Sequence, residues 1–126
     1  MVSLKTNYLG LNLKSPLIVG SSGLTNSVEN VIDFEKQGAG AVVLKSLFEE
    51  QILNEIHHTM SLSEYSNQYP EALDYISNYS RENTLDKYMK LISNCKKAVS
   101  IPIIASINCA SATEWMTYAS KIQVAG

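Results

Sequence analysis

The chain has 126 residues, 45% of them hydrophobic and 17% charged, which is the composition of a globular domain rather than a disordered segment. A net charge of −2 offers no basic footprint for nucleic acid, and the two cysteines, Cys95 and Cys109, are too few for a zinc ribbon or a disulfide framework. No apolar run approaches the ~20 residues of a membrane helix, and the first ten residues lack the apolar core of a signal peptide, so we expect a cytoplasmic protein without membrane contact.

The chain opens with two short segments, residues 4–8 and 11–14, which predict a β-hairpin that turns at Gly10. Residues 16–20 follow as a brief apolar run. A continuous run of this kind is typical of a parallel strand that is covered on both faces. The sequence therefore predicts a hairpin followed by a first buried strand.

A first helix and a second strand come next. Asn26 and Glu29 have the spacing of a capping box, and Gly38 is placed to end the helix that they open. Residues 41–44 form a second apolar run. The helix is predicted to bury an apolar stripe of Val28, Val31 and Ile32.

Residues 47–83 are too long for an ordinary connection, and their Glu, Ser, Asn and Tyr content is typical of a loop. Because four of the seven tyrosines lie here, we predict an ordered lid on the side of the active site. Its glutamates, Glu49, Glu50 and Glu55, are interpreted as solvated loop charges, and adjacent His57 and His58 as surface histidines rather than metal ligands. The four tyrosines are Tyr65, Tyr69, Tyr75 and Tyr79.

The last third of the chain repeats the alternation of helix and strand. Thr84 is predicted to cap a second helix, residues 101–107 form a third apolar run, and Ser111 with Glu114 predicts the capping box of a third helix. The second helix carries a stripe of Leu85, Tyr88, Met89, Ile92 and Cys95, and the third carries Trp115, Tyr118, Ala119 and Ile122.

Three successive strand–helix units predict a parallel α/β sheet with right-handed crossovers. An open doubly wound sheet and the beginning of a barrel both fit this order of elements. The first strand–helix junction, residues 20–25, is not the Gly-x-Gly-x-x-Gly fingerprint of dinucleotide binding. The pattern by itself favours neither architecture.

Polar residues follow all three predicted strands, at the edge where both architectures bind ligands. Small residues allow a flat ligand to approach the backbone, hydroxyls can bond its edge, and a lysine places a cation beside it. The alternative is that these are ordinary strand-end loops, with Lys45 in solvent and Cys109 an inert buried thiol. The candidate residues are Gly20, Ser21, Ser22 and Gly23, then Lys45 and Ser46, then Ser106 and Asn108.

Taken in order, three segments resemble the start of the dihydroorotate dehydrogenase family. Residues 11–23 (LNLKSPLIVGSSG) resemble its N-terminal hairpin and first strand, and residues 38–46 (GAGAVVLKS) its second strand. Residues 102–107 (PIIASI) resemble its third strand. The resemblance implies that residues 1–126 are the N-terminal portion of one (β/α)₈ TIM-barrel domain, with about three βα units after a short β-hairpin.

The resemblance also implies FMN as cofactor, bound at the carboxyl end of the barrel. Ser21, Ser22 and Gly23 would lie along the flavin, and Lys45 would contact its ring and the substrate. The residues that would complete the flavin contacts are Ser46, Ser106 and Asn108. The implied reaction oxidises dihydroorotate to orotate in pyrimidine biosynthesis, and the full-length protein would be a homodimer.

Two departures from the family pattern bear on this interpretation. Residues 67–75 (NQYPEALDY) lack the Gly-Leu-Pro-Asn part of the family's substrate loop, which puts the substrate in more doubt than the flavin. The segment that carries the family's catalytic base would follow Gly126, so the 126 residues alone are expected to be inactive and to leave sheet edges uncovered.

Three alternatives remain open. The first is another FMN barrel with a different substrate, such as the flavin domain of dihydropyrimidine dehydrogenase. The second is a truncated binding module without redox chemistry. An unrelated doubly wound nucleotide-binding protein fits the pattern less well because the glycine fingerprint is absent.

Overall fold

The computed structural model describes residues 2–62 and 70–126 of the chain, which form a mixed α/β structure. Within these ranges, no helix is both long enough and apolar enough to cross a membrane. The elements in chain order are β1 (Thr6–Tyr8), β2 (Leu11–Leu13), β3 (Ile18–Val19), a 3₁₀ turn (Gly23–Thr25), α1 (Val28–Lys36), β4 (Ala41–Val43), β5 (Leu47–Phe48), α2 (Glu49–Leu62), α3 (Pro70–Ala98), β6 (Ile103–Ile104), β7 (Ile107–Asn108) and α4 (Ala112–Ala125).

The predicted N-terminal hairpin is confirmed. Strands β1 and β2 pair in antiparallel register, with Thr6 opposite Leu13 and Tyr8 opposite Leu11. Both turn residues have positive φ angles, 49° at Leu9 and 81° at Gly10. Two consecutive positive φ angles are the requirement of a type I′ turn, whose twist matches that of the paired strands.

The parallel arrangement of the three apolar runs is also confirmed. The sheet order is β3-β4-β6, with Ile18 opposite Ala41 and Val42 opposite Ile103. Strand β4 lies between the other two, and Ala41 and Val42 are completely buried. A central strand covered by helices loses its contact with water on both faces, which explains why its sequence is apolar without alternation.

Helix α1 begins one residue later than predicted. Ser27 is its N-cap and accepts a hydrogen bond from the backbone N–H of Asn30, at 3.3 Å. The prediction of Asn26 as the cap was wrong because a 3₁₀ turn, with its own capping box of Ser22 and Thr25, comes directly before the helix. Gly38, with a φ of +99°, follows the end of α1 as expected.

Residues 47–83 do not form the long connection that their polar composition predicts, and no observation tests whether the segment acts as a lid. Most of this segment is helical, and α3 passes through Thr84 without a break, so Thr84 is not a cap. Ile52 and Ile56 are spaced four residues apart and are both buried, because α2 packs against α3. Of the tyrosines assigned to the lid, Tyr75 and Tyr79 are exposed on α3, whereas Tyr65 and Tyr69 lie outside the described residues.

Helix α4 confirms one predicted contact and corrects another. Ser111 caps it as predicted, but the carboxylate of Glu114 pairs with Arg81 of α3 at 3.1 Å. Tyr118 is buried against α3, as expected for the helix stripe, whereas Trp115 is 43% exposed rather than part of the core. The position of α4 on α3 therefore turns the face of Tyr118 inward and leaves Trp115 at the surface.

We predict that Tyr118→Phe does not destabilise the protein at neutral pH and raises its free energy of unfolding by up to about 1 kcal/mol. The Tyr118 hydroxyl is buried and has no hydrogen-bond partner among the residues that the structure describes, so its removal eliminates a desolvation cost. Urea unfolding followed by circular dichroism measures the change. A measurable loss of stability would show that the hydroxyl has a partner and contradict this prediction.

The same substitution has an expected pH dependence. Burial, and then the Glu114 charge, raise the pKa of Tyr118 from 10.0 to about 12. Between these values the unfolded chain ionises while the folded chain stays neutral, so stability falls as pH rises through that interval. The Tyr118→Phe variant should lose less stability than the wild type over this interval. An identical loss in both would contradict the assignment.

Candidate functional site

Two neighbouring strands of the sheet, β4 and β6, are each interrupted at the same level. Strand β4 continues into β5, and β6 continues into β7, with Val43 opposite Ile104 before the break and Leu47 opposite Ile107 after it. Three residues, 44–46, therefore face two residues, 105–106. One extra residue on one strand is a β-bulge, a feature that is frequent beside active sites because it redirects side chains.

Several backbone groups at the bulge make hydrogen bonds to residues outside the two strands. The Tyr88 hydroxyl of α3 accepts from the Ser106 N–H at 3.0 Å and donates to the Ser106 carbonyl at 3.1 Å. The Lys45 N–H donates to the Thr25 carbonyl at 3.3 Å, and the Ser46 N–H donates to Ser21 Oγ at 2.9 Å. Helix α3 and the segment between β3 and α1 thus hold the bulge in place. Burial raises the pKa of the Tyr88 hydroxyl.

Three serine hydroxyls meet at this point and form what we call the hydroxyl chain, Ser21–Ser46–Ser106. The Oγ atoms of Ser21 and Ser46 are 3.0 Å apart, and those of Ser46 and Ser106 are 2.6 Å apart. Three hydroxyl protons serve two internal hydrogen bonds, which leaves one O–H to donate to a ligand. The structure thus brings together one predicted residue from the carboxyl end of each of three neighbouring parallel strands.

The other candidate residues of the first junction have different environments. Ser22 accepts a hydrogen bond from the Leu24 N–H, so its hydroxyl caps the 3₁₀ turn that Gly23 begins. A Cβ atom added at Gly20 or Gly23 would meet nothing within 4 Å, and neither residue has a positive φ. Neither packing nor backbone conformation requires glycine there, and both positions have open space around them.

Lys45 and Asn108 are not part of the hydroxyl chain. Asn108 is exposed at the end of β7. Lys45 lines a neighbouring open cleft of about 450 Å³, which we call the lysine cleft. Among the described residues its lining consists of Asn26, Val28, Lys45, Ser46, Leu47, Gln51, Thr84, Lys87, Tyr88, Lys90, Leu91 and Asn94. Ser46 therefore lines the cleft and also occupies the centre of the hydroxyl chain.

The interpretation of Glu49 as a solvated charge was wrong. Its side chain is buried, and Oε2 accepts hydrogen bonds from the Ala110 N–H at 2.6 Å and the Ser111 N–H at 3.3 Å. Glu49 begins α2, and the two N–H groups precede α4, so one carboxylate joins two helix starts beside the ends of β5 and β7. A glutamate directly after an apolar strand was the only sequence signal for this contact.

The remaining reactive side chains do not form a second centre in the described ranges. Burial, followed by the charges of Glu49 and Glu114, raises the pKa of the Cys109 thiol, which disfavours a reactive thiolate. His57 and His58 are exposed on α2. No cluster of histidine, cysteine and carboxylate side chains suited to a metal ion occurs among the residues that the structure describes.

Comparison of the chain with protein-family models and with curated proteins found no match.

Proposed function

We propose that this chain is the N-terminal portion of an FMN-dependent oxidoreductase of dihydroorotate dehydrogenase type, built on a (β/α)₈ barrel. The observation that carries the proposal is the hydroxyl chain at the carboxyl ends of three neighbouring parallel strands. This edge is where α/β barrels bind their ligands. The three-strand parallel sheet, with helices after successive strands, is compatible with the first part of such a barrel.

The residues present fit a flavin. The open space at Gly20 and Gly23 suits a flat ring that lies against the backbone, and the free O–H of the hydroxyl chain suits its polar edge. Ser21, Ser46 and Ser106 would hold the ring, while Ser22 and Gly23 shape the loop beneath it. Lys45 and Asn108 would approach from neighbouring strand ends. When bound, FMN supplies an acceptor for a hydride.

The contribution of the protein's own residues is positional. The bulge directs Ser46 toward both neighbouring serines, and Tyr88 keeps the Ser106 backbone from moving, because its hydroxyl makes two hydrogen bonds there. A cation at Lys45 would stabilise negative charge that develops on a bound ring. The substrate we propose is dihydroorotate or a related dihydropyrimidine, with the proton-abstracting base on a segment that follows Gly126. The setting we propose is a cytoplasmic homodimer.

One observation favours a second candidate, a binding module without redox chemistry. The hydroxyl of Ser21 accepts a hydrogen bond from the Ser46 N–H, and the hydroxyl of Tyr88 accepts one from the Ser106 N–H. Both backbone N–H groups at the bulge therefore already have partners within the protein. In this alternative the serines stabilise the strand ends, and FMN does not bind.

Titration of the chain with FMN, followed by quenching of flavin fluorescence, separates the two candidates. We expect Ser46→Ala to weaken FMN binding by roughly tenfold, because it interrupts the hydroxyl chain at its centre. Ser120→Ala is the matched control, since that hydroxyl donates to the Met116 carbonyl one turn earlier in α4, at 2.9 Å, and is not part of the hydroxyl chain. Absence of flavin binding by the wild-type chain, or equal affinity in Ser46→Ala, would refute the flavin site.

A further inference from the structure

The lysine cleft contains two positively charged residues, Lys87 and Lys90, that have no role in the proposed flavin site. Among its described lining residues it contains Lys45, Lys87 and Lys90 but no aspartate or glutamate. The whole chain has only 10 basic residues and a net charge of −2. Three of its cations are therefore gathered in one concave region of a weakly acidic protein, which raises the local potential for an anion.

Within the described part of the chain, these three lysines also form no ion pair with a carboxylate. The ion pairs formed by the described residues join Lys14 to Glu35, Lys36 to Asp33 and Arg81 to Glu114, and none involves a lysine of the cleft. Lys87 and Lys90 are three residues apart on α3, so their side chains share one face of the helix. Ammonium groups held on one face repel each other, and a bound anion would relieve that repulsion.

Neutral donors surround the cations. The cleft is lined by the amides of Asn26, Gln51 and Asn94 and by the Thr84 hydroxyl, all of which can donate to oxygen. Val28, another lining residue, is the first residue of the nine-residue helix α1, whose N-terminal end carries a partial positive charge. Charge, hydrogen-bond donors and a helix start thus converge on the same cleft.

We propose that the lysine cleft binds the phosphate group of a small phosphorylated molecule, with Lys87 and Lys90 as its charged contacts. Lysine binds phosphate as a point charge, and the surrounding amide and hydroxyl groups complete the hydrogen bonds. A volume of about 450 Å³ accommodates an organic phosphate rather than a bare ion alone. The cleft shares Lys45 and Ser46 with the proposed flavin site, but Lys87 and Lys90 have no role there, so the inference does not depend on the proposed flavin chemistry.

The test is isothermal titration of the full chain at low salt with inorganic pyrophosphate and with ribose 5-phosphate, and with ribose as the neutral comparison. We expect the two phosphates to bind and ribose not to bind. The double variant Lys87→Gln/Lys90→Gln should bind both phosphates at least roughly tenfold more weakly. Glutamine is a good helix former, so the substitutions leave α3 intact.

Lys97→Gln is the matched control, because Lys97 is an exposed lysine of the same helix outside the cleft. We expect it to change affinity by less than about twofold. Equal losses in Lys97→Gln and the double variant, no phosphate binding by the wild type, or unchanged binding in the double variant would each overturn the proposal. Titration of the double variant with riboflavin, which has the flavin ring but no phosphate, keeps the tests apart, since neither substituted lysine belongs to the hydroxyl chain.

Discussion

Gly40→Ala is expected to lower the free energy of unfolding by about 3 kcal/mol or more, the largest effect that we predict for a single methyl group in this chain. A Cβ atom at position 40 would collide with the carbonyl oxygen of Ser15 and lie 3.0 Å from the carbonyl carbon. These atoms belong to the backbone, so no side chain can rotate away. The Gly40 N–H also donates to the Leu17 carbonyl at 2.7 Å, which ties the same two segments together.

Urea unfolding of the wild type and of Gly40→Ala, monitored by circular dichroism, measures this loss. Gly23→Ala is the matched control, because a Cβ atom there meets nothing within 4 Å and the residue has no positive φ. We expect the control to unfold within about 0.5 kcal/mol of the wild type. Equal midpoints for Gly40→Ala and the wild type would mean that the segments before β3 and β4 are not packed as described.

Glu49→Ala is expected to lower the free energy of unfolding by about 2–3 kcal/mol. The buried carboxylate accepts hydrogen bonds from the N–H groups of Ala110 and Ser111, and alanine leaves both donors without that partner. Glu49→Gln keeps an acceptor oxygen but loses its charge, so we expect a smaller loss. The order of stability should be wild type, then glutamine, then alanine.

The neighbouring residue provides the control for this series. Glu50 is exposed in the same first turn of α2, so Glu50→Ala removes an equal charge without removing the contact to the segment before α4. We expect its unfolding midpoint to differ little from that of the wild type. Similar losses in Glu50→Ala and Glu49→Ala would indicate a general charge effect at the helix start and contradict the specific contact.

Local sequence pattern was sufficient for strands β1 to β4 and β6 and for the helix termini with strong signals, but it missed β5 and the break between β6 and β7. Apolar runs predicted β3, β4 and β6, Gly10 predicted the hairpin turn, and Ser111 predicted the start of α4. These features depend on burial of a short segment or on one residue's backbone preference, both of which are encoded locally. Sequence pattern was insufficient for α2 and the first part of α3. The polar composition of this segment is typical of a loop, although Ile52 and Ile56 form a buried face of α2.

The same distinction between local and long-range features applies to the candidate site. Sequence identified Ser21, Ser46 and Ser106 individually as strand-end residues, because parallel strands place such residues at one edge of a sheet. Their hydrogen bonds at 3.0 and 2.6 Å depend on the bulge between β4–β5 and β6–β7. No local sequence pattern predicts that one strand has one residue more than its neighbour between the two paired stretches. The contacts of Tyr88 and Glu49 were likewise unforeseen.

The sequence by itself determined the parallel α/β organisation of this protein and the set of polar residues at its strand ends. Only the tertiary structure decided which of those residues come into contact and which of them, such as Ser22, are already hydrogen-bonded within the fold. It also decided that Lys87 and Lys90 share a cleft with Lys45. The physical reason is separation along the chain. Secondary structure follows from preferences within a few residues, whereas Ser46 and Ser106 are 60 positions apart, and their contact depends on register and helix packing that form together.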